Sequence, residues 1–477
     1  MAMNTGASYK FGKAVSISAI VLCLSSSPLL LPESLNGYAF AQESGEKKAV
    51  NKKRPRSGKK SQALGKKVYE IITKANELVD ADQIAAALKE LDKTKSMEKL
   101  TAYETAQIYS FYGYLYFNAE RYRDAINSYN KVLQQPDLPP AVQQQSIRTL
   151  AQLAFVTEDY DAAIRYANQY INDVGPDADM YVVLGTAYYQ KDQYAKIIPP
   201  VEKAINMTQE MGNKTKENWW LLLRVAYWEQ ENYTEVKQIL ETLVVNWPKK
   251  EYWIQLSGVY SELNDEARQL ASFEAAYDQG MLESSSELVQ MAQLFMQAEV
   301  PYKGAKILEA GLASGSIKKS TKNVRLLAQA WQMSQEDDKA IPPLKQAAGM
   351  SDDGELYARL ATSYLNLNQY ANCINASNKA LDKGGLKNKG GAYLILGMCQ
   401  FERKSLNSAK ASFQKAARYE KTKKTAGSWV AHVNSEQARL KQLEQALKRA
   451  NRDLGIETKA DAEIDIDAAD QPQVENT

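Results

Sequence analysis

Histidine and cysteine, which often act in catalysis and in metal binding, are rare in this chain. The sequence of 477 residues contains one histidine, His432, and three cysteines, Cys23, Cys373 and Cys399. His432 has no second histidine or cysteine at a metal-ligand spacing, and the sequence has neither a Cys-x-x-Cys pair nor a glycine-rich phosphate loop. The carboxylates are scattered among polar positions without a paired arrangement. We therefore expect no catalytic residues, no cofactor-binding residues and no metal site, and a protein that is not an enzyme.

A motif that returns nine times, every 33 to 39 residues, dominates the sequence from about residue 106 to residue 423. It is clearest as Tyr109-x2-Tyr112-Gly113-x2-Tyr116. The units begin near residues 106, 144, 178, 217, 250, 285, 321, 354 and 390. Spacings of three and four place the large side chains on one face of a helix. A period of this length is typical of a helix–turn–helix unit that must stack on its neighbours to bury its apolar face.

Small residues recur at two positions of these units. Position 8 carries Gly113, Ala151, Gly185, Ala292, Ala328, Ala361 and Gly397, whereas Arg224 and Ser257 depart from the pattern. Position 20, in the second helix, carries Ala125, Ala163, Gly304, Ala340, Cys373 and Ala409. We expect these two positions to face each other where the two backbones of a unit come closest.

These residues resemble the tetratricopeptide repeat (TPR), and the resemblance covers roughly two thirds of the chain. It implies an all-α fold, a right-handed superhelical α-solenoid of about nine TPR helix–turn–helix repeats over residues 106–424. Degenerate helices at 66–105 and a one-sided helix at 425–452 are predicted to cap its two ends. Ile198-Pro199-Pro200 and Ile341-Pro342-Pro343 occupy the same positions of two second helices. These prolines should kink their helices, either to shape the superhelix or as a relic of duplication.

The predicted binding surface is the concave groove of the solenoid, because stacked helical pairs present a long concave face. Position 12 of each repeat, late in the first helix, tends to point into it. There the sequence places Phe117, Phe155, Tyr189, Trp228, Met296, Leu365 and Phe401, with Ser261 and Gln332 in the other two repeats. Aromatic and apolar side chains in this arrangement favour a groove for a polypeptide partner. The alternative is that some of them pack against an adjacent repeat.

The helix predicted to contain Cys373 and the helix predicted to contain Cys399 are neighbours in the solenoid. Two interpretations of the cysteines are open. They could pair in an oxidising compartment, or they could be small apolar side chains that fill the core. The sequence favours the second interpretation.

The chain ends differ in kind from the repeats. Lys10 and Lys13 precede an apolar run at 14–24, and Ala39 and Ala41 stand just before Gln42. This pattern predicts a secretory signal peptide at 1–41, with an uncleaved anchor as the alternative. Residues 42–65 form a lysine- and arginine-rich linker and residues 453–477 an acidic tail, both predicted to be disordered. The basic linker would lie on an anionic membrane surface or serve as a solvated spacer.

Taken as a whole, the chain is similar to exported tetratricopeptide proteins associated with TonB energy-transducing systems of Gram-negative bacteria. The similarity rests on the signal peptide, the basic linker, the number of repeats and the Ile-Pro-Pro segments. It implies a scaffold in the periplasm, peripheral to the inner membrane, whose partners are TonB-, ExbB- and ExbD-like envelope proteins of an iron-uptake system, with no nucleic acid. The alternative is a TPR scaffold for cell-envelope or outer-membrane assembly.

Overall fold

The computed structural model describes residues 63–352 and 354–453. This part of the chain forms 21 α-helices and one short 3-10 helix and contains no strand. The predicted signal peptide, residues 42–62 of the basic linker, and the tail from residue 454 lie outside it. None of the described helices is both long and apolar enough to cross a bilayer.

The chain divides into two compact units, of which the first ends at Pro248 and the second begins at Lys249. The helices of unit 1 are α1 Lys66–Asp80, α2 Ile84–Asp92, α3 Ala102–Asn118, α4 Tyr122–Leu133, α5 Pro140–Val156, α6 Tyr160–Asp173, α7 Ala178–Gln190, α8 Tyr194–Glu210, α9 Glu217–Trp228 and α10 Tyr233–Asn246. The 3-10 helix Lys93–Ser96 follows α2.

The helices of unit 2 are α11 Lys250–Glu262, α12 Glu266–Asp278, α13 Ser285–Gln297, α14 Pro301–Ser314, α15 Thr321–Met333, α16 Asp337–Gly349, α17 Glu355–Asn366, α18 Tyr370–Lys383, α19 Lys389–Glu402, α20 Leu406–Ala416 and α21 Glu420–Asp453. The helices from α3 to α20 form nine antiparallel hairpins, four in unit 1 and five in unit 2, and the hairpins within each unit pack on one another in chain order. The prediction of an all-α solenoid of helical hairpins is confirmed.

The turn inside each hairpin has the same backbone geometry. Position 15 adopts a φ between 53° and 64° in all nine hairpins, although none of these residues is glycine. They are Glu120, Glu158, Asp192, Glu231, Asn264, Glu299, Gln335, Asn368 and Lys404. The next amide donates to the carbonyl five residues earlier, as Arg121 N does to Tyr116 O at 2.8 Å. This pattern closes the first helix with a left-handed residue, so every hairpin turns back in the same way.

The small residue at position 8 is required mainly by position 24 of the second helix. A Cβ on Gly185 would lie 2.3 Å from Val201 Cγ2, whereas the nearest atom of Ile197, at position 20, is 3.7 Å away. At Gly113 the conflicting group is the ring of Tyr129, also at position 24. The expected closeness of positions 8 and 20 holds in the hairpin of α13 and α14. There a Cβ on Gly304 would lie 2.6 Å from the carbonyl oxygen of Ala292.

Both proline pairs lie inside helices that continue beyond them. Pro199 and Pro200 are within α8, and Pro342 and Pro343 are within α16. In each helix the pair follows the first turn, beyond the four amides that have no intrahelical acceptor, so each proline removes one backbone hydrogen bond of its helix.

The final helix is longer than the sequence predicted, because α21 begins at Glu420 and has 34 residues. Its first half covers the last hairpin, where Val433 is fully buried and the Trp429 ring stacks on Phe413 at a centroid distance of 5.2 Å. Leu443 and Leu447, which lie farther along the one-sided helix predicted at 425–452, are 58% and 57% exposed. Only the first half of the helix therefore acts as a cap.

The structure corrects the interpretation of the two cysteines. Cys373 on α18 and Cys399 on α19 form a disulfide, with their Cα atoms 6.2 Å apart. Both residues are fully buried in the core of unit 2. Consecutive packed helices bring the two Cα atoms within the range that a disulfide spans. The cysteines are therefore a cross-link between two hairpins and not two independent core fillers.

Candidate interaction edge in the N-terminal unit

Four aromatic pairs recur at the turns of the four hairpins of unit 1. In each hairpin the aromatic residue at position 12 contacts an aromatic ring five residues later, at the start of the second helix. The ring centroids are 5.7 Å apart for Phe117 and Tyr122, 5.7 Å for Phe155 and Tyr160, 6.4 Å for Tyr189 and Tyr194, and 5.7 Å for Trp228 and Tyr233. All eight side chains are partly buried. In each pair, therefore, the two rings hold each other in place and together present an apolar surface to solvent.

In the sequence, an exposed acidic residue lies between the two aromatic residues of every pair. These residues are the left-handed turn residues of unit 1, namely Glu120, Glu158, Asp192 and Glu231. We call the surface formed by the four ring pairs and the four carboxylates the turn edge. Because the turn geometry is the same in each hairpin, the ring and the carboxylate repeat together from one hairpin to the next.

Asp192 acts directly on the two phenols of its pair, Tyr189 and Tyr194. Burial raises the pKa of Tyr194 to about 12, and the hydrogen bond that its Oη donates to Asp192 Oδ1 at 2.8 Å adds to this rise. Burial also raises the pKa of Tyr189, with further contributions from Asp192 and from Glu229 of the next hairpin. These phenols therefore stay neutral at physiological pH, and the charge of the edge comes from its carboxylates.

Ion pairs fix neighbouring hairpins of unit 1 to one another. Lys191 Nζ lies 2.7 Å from Asp161 Oδ1 and joins the third hairpin to the second. Arg148 joins the same hairpins through Asp177 Oδ2, also at 2.7 Å, and the Arg148 and Asp177 side chains are only 26% and 24% exposed. Pairs of this kind contribute little stability individually. They do restrict sliding between hairpins and so fix the spacing of the aromatic pairs.

The seven side chains predicted to line a groove fall into two groups. Phe117, Phe155, Tyr189 and Trp228 share the turn edge described above. The other three pack into unit 2: Met296 is 7% exposed, Leu365 packs on the core, and Phe401 contacts the rings of Trp429 and His432 at 5.6 and 5.1 Å. The structure therefore gives a common arrangement only to the first four.

The tyrosines at position 17 were not among the residues that the sequence predicted to line the groove. The signal that could have identified them is an aromatic residue five positions after position 12, with an acid between, in four consecutive repeats. In unit 2 the pattern lapses, since position 17 carries Glu266, Pro301, Asp337, Tyr370 and Leu406.

No cluster of three or more potential metal ligands occurs within residues 63–352 and 354–453. His432 is exposed on α21, where its ring contacts Phe401 and Trp429. This contact gives the histidine a packing role against aromatic rings.

A family model described as the tetratricopeptide repeat matches residues 106–135 and 354–382. These two segments are therefore identified as tetratricopeptide repeats. The two matched segments begin at the first residues of the first and eighth predicted repeats, so the register derived from the sequence is confirmed there. Tetratricopeptide proteins are typically non-enzymatic scaffolds that bind polypeptides through the surfaces of their stacked hairpins.

No curated protein sequence matches the chain significantly. Among solved structures, a tetratricopeptide repeat protein from Parabacteroides merdae is 15% identical, covers 56% of this chain and 99% of its own, and gives a TM-score of 0.32. MamA is 17% identical over 36% of this chain and 92% of its own, with a TM-score of 0.32. YrrB, described as a TPR protein with an unusual peptide-binding site, is 13% identical over 41% and 96%, with a TM-score of 0.33. At these TM-scores the matches carry no functional conclusion.

Proposed function

We propose that the protein is an exported, non-enzymatic scaffold that binds a polypeptide partner along the turn edge of unit 1. The observation that supports this proposal is the fourfold recurrence of an aromatic pair beside an exposed carboxylate. A surface that had only to be solvated would not need eight partly exposed rings. The rings would hold apolar side chains of the partner, and the carboxylates would attract its basic side chains. The partner is therefore a segment in which apolar and basic residues alternate.

The finer proposal is a periplasmic accessory of a TonB-type uptake system that carries iron compounds, with TonB-, ExbB- or ExbD-like proteins as partners. It is supported by the signal peptide that the sequence predicts, by the basic linker and by the resemblance of the whole chain to such proteins. The Cys373–Cys399 disulfide also favours an oxidising compartment. The basic linker would hold the protein at the anionic surface of the inner membrane. The alternative, a scaffold for envelope assembly, uses the same edge and differs in the protein captured.

We expect the double variant Tyr189→Ala, Trp228→Ala to lose partner binding while its helical content is kept. Truncating a central aromatic anchor typically costs about 2 kcal/mol or more of binding free energy. A photo-crosslinking residue at Val156, which follows Phe155 in the sequence and is 44% exposed, should capture the partner in cells. The same residue at Met211, 68% exposed at the opposite end of a hairpin, is the matched control. The affinity of the captured protein for each variant is then measured by titration calorimetry.

Two further variants separate binding from folding. Tyr302→Ala removes a ring of unit 2 that is 46% exposed and should leave affinity unchanged. The double variant Glu229→Gln, Glu231→Gln should keep the fold. It should bind the partner more slowly, and the rate of binding should depend less on salt concentration. A double aromatic variant that stays folded and binds the captured protein with unchanged affinity would show that the turn edge is not the recognition surface.

Export gives a separate prediction. The mature protein should begin at Gln42 and carry no lipid, because Ala39 and Ala41 match the small residues that signal peptidase requires. N-terminal sequencing of the protein isolated from the cell envelope tests this. An N-terminus at Met1, or beyond Val50, would contradict the proposed cleavage.

A further inference from the structure

A cavity of about 410 Å³ lies between residues 94–100, which follow α2, and the first repeat of unit 1. It is lined by Thr94, Lys95, Met97, Leu100, Thr105, Ile108, Tyr109, Tyr112, Tyr116, Ser128 and Lys131. The second helices of the nine hairpins have 11 to 17 residues, whereas α2 has nine before it gives way to the 3-10 helix. The capping pair is therefore too short to fill the face of α3 that a full second helix would cover. We call this space the tyrosine cavity.

Three tyrosine rings form one wall of the tyrosine cavity. The Tyr109 and Tyr112 centroids are 6.2 Å apart, and those of Tyr112 and Tyr116 are 5.9 Å apart in a nearly parallel arrangement. Tyr112 stands at position 7, which carries leucine or methionine in the other eight repeats. Its Oη donates to Asp92 Oδ1 at 2.7 Å, so its ring is fixed in place. The Tyr109 ring is tilted by 40° from the Tyr112 ring, and the Arg121 guanidinium lies 4.5 Å from the Tyr116 centroid. The wall is therefore a bent aromatic surface in a place where the other repeats carry an aliphatic side chain.

Two lysines bring positive charge to the same cavity. Lys95 Nζ lies 2.7 Å from Asp92 Oδ1 and is neutralised by it. Lys131 Nζ lies 4.8 Å from the centroid of the Tyr109 ring, and no carboxylate in the described part of the chain lies within ion-pair distance of it. The hydroxyls of Thr94, Thr105 and Ser128 donate to backbone carbonyls and are not available as donors to a ligand. One uncompensated positive charge therefore stands beside the aromatic wall.

We propose that the tyrosine cavity is a binding site for a planar aryl carboxylate. The ligand ring stacks on the tyrosine wall in an offset arrangement, and its carboxylate accepts a charge-assisted hydrogen bond from Lys131. The cavity volume falls in the range that binds small organic ligands. A cationic ligand would be repelled by Lys131, and an uncharged ligand would leave Lys131 without a counter-charge. This site is separate from the turn edge and does not depend on the proposed scaffold function.

The test uses trans-cinnamate as the probe and the full-length protein, with calorimetry and saturation-transfer NMR as the measurements. Cinnamate should bind, and cinnamamide, which has the same ring without the charge, should bind about tenfold more weakly. Lys131→Gln should weaken cinnamate binding by about tenfold and leave the weak binding of cinnamamide unchanged. Lys131→Arg should retain most of the affinity. Lys131 is exposed, so these variants should fold normally.

Lys196→Gln is the matched control, because Lys196 also lies over a tyrosine ring, that of Tyr188, at 5.7 Å but outside the cavity. Its affinity for cinnamate should equal that of the unmodified protein. Tyr109→Leu should weaken both probes, since it removes part of the stacking surface. The proposal is overturned if cinnamate does not bind, if cinnamamide binds equally well, or if Lys131→Gln and Lys196→Gln behave alike.

Discussion

Loss of the Cys373–Cys399 disulfide should lower the free energy of unfolding of unit 2 by about 3 kcal/mol. The cross-link closes a loop with a sequence separation of 26 residues, and constraining the unfolded chain over such a length typically contributes this amount. Both cysteines are fully buried between α18 and α19, so the double variant Cys373→Ala, Cys399→Ala also leaves a small unfilled space. Urea unfolding of the protein with and without dithiothreitol measures the effect.

Unit 1 serves as the internal control for this experiment. Hydrogen exchange should rise in the hairpins of α17 to α20 and stay unchanged from α3 to α10. Dithiothreitol should have no effect on the double alanine variant. Equal unfolding midpoints for the oxidised and the reduced protein would contradict a structural role of the disulfide.

Replacing Gly185 by leucine should destabilise the third hairpin by about 1–3 kcal/mol, the usual cost of overpacking a core. Even a single Cβ at this position would lie 2.3 Å from Val201 and 3.2 Å from Leu222, which belongs to the next hairpin. Because stacked hairpins interact mainly with their neighbours, the damage should begin between α5 and α10. Hydrogen exchange followed by mass spectrometry shows which helices lose protection.

The control is Gly258→Leu, the same change in the first helix of another hairpin. A Cβ there meets no atom within 4 Å, and leucine is a better helix former than glycine by close to 1 kcal/mol. This variant should be as stable as the original protein or more stable. A rise in exchange that is equal in all nine hairpins, or absent near residue 185, would contradict the assigned register.

The sequence by itself determined the repeat and its register. Large residues at spacings of three and four, and small residues such as Gly113 and Gly185 at position 8, depend on the helical period and on contacts within one hairpin. Such local constraints recur in every repeat, so the sequence alone is enough to recognise them. The fold class followed, because an amphipathic hairpin can bury its apolar face only against another hairpin.

The tertiary structure decided what depends on distances between elements. The pairing of Cys373 with Cys399 requires two Cα atoms 6.2 Å apart, and no local pattern encodes that separation. The aromatic pairs of the turn edge have a signal in the sequence, but the contact between their rings is shown only by the structure. Position 12 predicted an exposed anchor, whereas the structure places a second ring against Phe117, Phe155, Tyr189 and Trp228 and buries Met296 in unit 2.

The tyrosine cavity also shows the difference between what the sequence determines and what the tertiary structure decides. Tyr109, Tyr112 and Tyr116 follow the repeat pattern, and their sequence positions alone indicate core packing. Whether such rings are covered depends on the length of the preceding second helix, and α2 ends at Asp92. A repeat sequence specifies the shape of each hairpin through local packing. The space beside the first hairpin depends instead on the length of the helices that precede it, and only the folded structure shows how much of that space they fill.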